Sequence, residues 1–135
     1  MQTRLRHLCR IFPLILFSGS VHAVSIEAWQ AVIEPDGVQR VNISCGTNFL
    51  DPREIVVKKD VPLELIVRTP GNLPDQNFLV FLPGPALENI VGRVPRPIRV
   101  SPNATGSFVM QCRTPGVPDD PNSQAKKRGL LTVVP

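Results

Sequence analysis

Thr105-Gly-Ser-Phe-Val-Met-Gln-Cys112 reads as an extended strand with two unlike faces. Side chains alternate along a strand, so Phe108, Met110 and Cys112 share one face while Val109, Gln111 and Arg113 share the other. The first row is apolar and ends on a cysteine. It is therefore the buried row, and the meaning of the chain turns on what that cysteine meets.

The same alternation recurs on both sides of this stretch. Gln39 to Cys45 places Val41, Ile43 and Cys45 on one face against Arg40, Asn42 and Ser44, and Leu63 to Arg68 points Leu63, Leu65 and Val67 inward. Phe78 to Leu82 is a continuous apolar run of the kind buried between two sheets, and Gly129 to Val134 closes the chain as a last strand. Glu54 to Lys58 is a further strand candidate, entered through Phe49-Leu-Asp-Pro52. Val24 to Ile33 is apolar enough for a strand or a short helix, and periodicity does not choose between them.

Between these runs stand turn signals: Pro35-Asp-Gly37, Gly46-Thr-Asn48, Lys59-Asp60, Thr69 to Asp75 and Ser101-Pro-Asn103. Pro83 to Pro97 reads as a long connection with four prolines, in which Ala86 to Val91 is the one segment able to make a helical turn. Arg113 to Arg128 is polar, holds three prolines and reads as a loop. Short strands, turns rich in Pro and Gly, and 15 prolines that confine irregular backbone to edges and loops predict an all-β antiparallel sandwich or barrel.

The N-terminal residues have a different character. Arg4, Arg6 and Arg10 precede the apolar Ile11 to Phe17, and Ser18-Gly-Ser-Val-His-Ala23 ends small, the order of a secretory signal peptide with cleavage after Ala23. The apolar run is too short to span a bilayer. Residues 1–23 are thus expected to be removed, leaving residues 24–135 as one domain without a membrane span, in the periplasm or outside the cell.

The segment carries three of the 15 Lys and Arg and none of the 11 Asp and Glu, which leaves 12 against 11, formally +1. A nucleic-acid partner is excluded on that balance, because the high isoelectric point belongs to the discarded residues. Lys126-Lys-Arg128 is the one remaining basic cluster and reads as a solvated loop. Both histidines, His7 and His22, leave with the signal, so the mature chain has no imidazole. That excludes a Ser-His-Asp triad, a His-ligated zinc and a histidine proton shuttle. Nor does the chain hold a phosphate-binding loop. It is expected not to be an enzyme.

Val41-Asn-Ile-Ser-Cys-Gly-Thr-Asn-Phe-Leu-Asp-Pro52, Ile55-Val-Val-Lys58 and Val61-Pro-Leu-Glu-Leu65 resemble the opening half of a bacterial cupredoxin, or plastocyanin-like, domain. Gln76-Asn-Phe78, Pro97-Ile98, Gly106 to Cys112 and Gly129-Leu-Leu-Thr-Val133 resemble its second half, so the likeness covers about residues 38–134. It implies a Greek-key β-sandwich of about seven to eight strands. In that family a type 1 copper is held by a histidine before an Asn/Asp-Phe pair, by the cysteine that ends the penultimate strand, and by a histidine and a methionine in the next loop. Cys112 matches the cysteine, Gln76 stands at the first histidine, and Arg113 to Arg128 contains neither histidine nor methionine. Met110 points into the core as a gap-filler. The resemblance thus implies a degenerate copper site and no resident cofactor, since a blue centre needs imidazole and thiolate together.

The resemblance also places Cys45, just before Gly46-Thr-Asn48, at the same end of the sandwich as Cys112. Three states stay open: a disulfide, which an exported compartment favours; two buried free thiols; and a soft Cu(I) site made by both thiolates. A catalytic cysteine has no base to activate it. The function expected is an exported binding or structural module for a protein partner, with loops 69–76 and 113–128 as the recognition surface. The alternative is a copper-handling or electron-transfer protein using Cys112, with Cys45 or with a partner's ligands.

Overall fold

The computed structural model describes residues 28–118 and 120–135, so the expected signal segment 1–23 lies outside the described residues. The strands are β1 (Trp29–Gln30), β2 (Val32–Ile33), β3 (Gln39–Cys45), β4 (Leu50–Asp51), β5 (Glu54–Lys58), β6 (Leu63–Arg68), β7 (Gln76–Val80), β8 (Leu87–Val91), β9 (Arg96–Val100), β10 (Gly106–Arg113) and β11 (Arg128–Val134). One short helix, α1 (Pro121–Lys126), lies between the last two.

The strands form two layers. A six-stranded sheet runs β1-β5-β11-β10-β7-β8, and a second runs β2-β3-β6-β9 with β4 paired to β3. Inward rows meet between the layers: Val41, Ile43 and Cys45 of β3 and Leu63, Leu65 and Val67 of β6 pack with Ile55, Val57, Phe78, Val80, Met110, Cys112, Leu131 and Val133 of the facing sheet. For β3, β6 and β10 this is the predicted alternation, whereas the run expected to stay buried from Phe78 to Leu82 leaves the strand after Val80 and exposes Phe81. Gln39 begins the inward row of β3 as a buried amide. It donates to Lys58 O at 2.8 Å and Val61 O at 3.1 Å and accepts from Lys58 N at 2.9 Å, so its burial is compensated on both polar ends.

Four expectations are corrected. The sheets are mixed: β3 pairs with β6, and β5 with both β1 and β11, in parallel. Each parallel pair is joined by a connection that visits the other layer, which strand-by-strand alternation does not reveal. Leu87 to Val91 is strand β8, not a helical turn, because pairing with β7 in register Val91↔Gln76 to Leu87↔Val80 satisfies its backbone. The segment from 113 to 128 is not all loop. Asp120 caps α1 by accepting from Asn122 N at 3.2 Å, and Pro121 occupies a first-turn position where its missing N–H costs nothing. Finally, the basic cluster is not uniformly solvated, since Lys127 is buried. Val24 to Ile33, where described, holds the two short strands β1 and β2, with a change of sheet at Ala31.

Candidate functional site: the Cys112 end of the sandwich

β10 carries Cys112 inward one step from its end, where the register sets Cys112 opposite Phe78 and Arg113 opposite Asn77 of β7. β3 brings Cys45 to the same depth from the other sheet. The two form a disulfide, S–S 2.03 Å and Cα–Cα 5.9 Å, with both residues essentially inaccessible. Of the three states open to these cysteines, the bonded one is present. It ties the two layers at the end where the resemblance places copper.

Gln76 opens β7 and is fully buried. Its Nε2 donates to Pro74 O at 3.1 Å, and its Oε1 accepts from Thr114 Oγ1 at 2.9 Å. Lys127 Nζ donates in turn to Thr114 Oγ1 at 3.3 Å, and the Lys127 carbonyl accepts from Cys112 N at 3.0 Å. Where the resemblance places an imidazole, this amide closes a chain of hydrogen bonds across the loop that follows β10. Met110 is wholly buried in the core, as predicted.

The loop is itself fastened. Arg53, beyond β4, donates to Ala125 O at 2.8 Å and Arg128 O at 3.3 Å, holding α1 and the start of β11. Beside the disulfide lies a cleft of about 260 Å3 bounded by Thr47, Pro74, Cys112, Thr114, Gln124 and Lys127. The hydrogen-bonding roles of Thr114 and Lys127 were not anticipated. Their neighbourhood rests on the pairing of β10 with β7 and on α1, neither of which short-range pattern displays.

The residues do not fit a type 1 copper ion. The sulfur of Cys112 is bonded, position 76 holds an engaged amide, and among the described residues no group of three or more His, Cys, Asp or Glu could hold a metal. No helix among the described residues is long and apolar enough to cross a membrane.

Two facing mixed sheets, with an inward cysteine one residue from the end of the penultimate strand, define a cupredoxin-like β-sandwich. No family model and no curated protein matches the chain. Solved structures do. The metal-binding domain of the Cu(I)-exporting P-type ATPase CopA from Streptococcus pneumoniae, determined with Cu(I), aligns with a TM-score of 0.55 at 24% identity, over 81% of this chain and 97% of that one. Dithionite-reduced auracyanin from Roseiflexus castenholzii aligns at 0.55 and 16% identity, over 71% and 97%. Auracyanin A from Chloroflexus aurantiacus, a blue copper protein, aligns at 0.56 and 13% identity, over 73% and 100%. At these identities the likeness is one of fold.

Proposed function

We propose that this chain is an exported, non-enzymatic cupredoxin-like module whose former metal end serves structure and recognition. The observation that carries this reading is the Cys45–Cys112 disulfide: the sulfur that a copper ion would take is already bonded, beside an amide engaged on both its polar ends. Export to the periplasm or beyond is supported by that bond and by the basic, apolar, small-residue order of residues 1–23. The recognition surface is the pair of loops 69–76 and 113–128, which border the disulfide cleft and are anchored rigidly enough to present a fixed shape to a protein partner.

Two experiments test it. Purified mature protein, residues 24–135, should show no free thiol without reductant and retain no copper. Replacing residues 114–127 by a short Gly-Ser linker should abolish partner capture from the exported fraction. Full capture by that variant overturns the recognition surface.

A second reading is favoured by the likeness to a domain determined with Cu(I). On reduction, Cys45 and Cys112 would supply two thiolates to a cuprous ion, a ligand set that needs no histidine. It requires about one Cu(I) per chain to be retained after reduction and lost in Cys112→Ser. Unchanged retention in that variant removes it.

A further inference from the structure

The outer face of the five-stranded sheet, remote in chemistry from the disulfide end, carries a groove of about 470 Å3. It is bounded by Trp29 of β1 and by residues of β3 and its neighbours in register: Val32 of β2 opposite Arg40, Asn42 opposite Ile66 of β6, and Ser44 opposite Asp51 of β4. Trp29 is the one tryptophan of the chain and is 56% exposed. Tryptophan is enriched at contact sites, because it joins a large apolar ring to one N–H donor.

The polar groups around it are of two kinds. Arg40 is fully occupied, paired with Glu34, Asp36 at 2.7 Å and Glu64 at 3.6 Å. Asn42, Ser44 and Asp51 make no side-chain hydrogen bond among the described residues, so an amide, a hydroxyl and a carboxylate stand ready beside the indole. Glu34 and Asp51 outnumber Arg40 along the groove, which disfavours an anionic ligand. Charged and polar rows separate the apolar side chains, whereas the centre of a protein–protein contact is depleted in charge.

From this we infer that the groove binds a neutral saccharide chain. A pyranose would lay its C–H face on the indole of Trp29 and bring its hydroxyls to the three uncommitted side chains, donating to Asp51 and exchanging hydrogen bonds with Asn42 and Ser44. Apolar contact and several convergent hydrogen bonds are what such a ligand offers.

Because Trp29 is the one tryptophan, its emission reports on the groove directly. The full chain is titrated with chitohexaose, cellohexaose and maltohexaose, and with a tryptic digest of casein as the peptide control. At least one oligosaccharide should shift the emission saturably and protect it from acrylamide. Asn42→Ala should weaken that affinity about tenfold, the order one hydrogen-bonding partner contributes. Trp29→Ala, followed by calorimetry, should abolish binding while circular dichroism stays unchanged. Should Trp29→Ala fail to fold, Asn42→Ala and Asp51→Asn decide. The proposal is overturned if no oligosaccharide changes the emission at millimolar concentration, if affinity survives these substitutions, or if only the peptides respond, which would make the groove a protein contact.

Discussion

Cys112 shows how one residue type at one position takes its chemistry from its neighbours. With an imidazole on either side it would be a ligand; with Cys45 at a Cα distance of 5.9 Å it is half of a staple. Closing a loop across 67 residues stabilises the fold by about 4 kcal/mol through restriction of the unfolded chain, so Cys45→Ala/Cys112→Ala should lose about that much in urea denaturation. Gln76→His restores one imidazole yet should leave the protein colourless with added Cu(II), because the sulfur remains bonded. The same change removes the acceptor of Thr114 and should cost about 1–3 kcal/mol. Asp36 lies elsewhere, hydrogen-bonded to Arg40, which holds its carboxyl below the usual carboxylate range. A carboxylate whose pKa is lower folded than unfolded stabilises at pH above its unfolded value and loses that contribution as pH falls through its folded value. Asp36→Asn should therefore be slightly less stable than the parent at about pH 7, with the difference shrinking as pH falls through the folded value; urea midpoints measured down an acid pH series check this.

At the scale of elements, the strands were legible wherever alternation ran for five residues or more, as in β3 and β6, because burial itself imposes the period of two. β8 escaped, since Leu87-Glu-Asn-Ile-Val91 lies among prolines and its strand state depends on β7, a partner no local pattern names. α1 escaped because six residues give no periodicity, although Asp120-Pro121 was a readable cap. Alternation also names a face without saying what covers it: Gln111, on the outward row of β10, is 2% exposed. Close approach between elements was equally hidden. Gly129, second residue of β11, lies directly over the backbone of Arg53, whose carbonyl would lie 2.3 Å from an added Cβ. Gly129→Ala should accordingly push the two segments apart and destabilise by about 1–3 kcal/mol, measured as a lowered midpoint with unchanged denaturant slope.

For the molecule as a whole, the sandwich was legible as a class and the Cys45–Cys112 bond as one of three open states, while the parallel pairings and the hydrogen-bond chain from Gln76 to Lys127 required the assembled sheets. β11, last of the strands along the chain, lies inside the six-stranded sheet with β5 on one side and β10 on the other. Until β11 is placed, that sheet has a vacant lane through its middle. Cys45 and Cys112 both precede that lane, so oxidation can join the layers while it is still empty. The staple and the completion of the sheet are therefore separate contacts, and the six-stranded layer is whole only when β11 pairs with both β5 and β10.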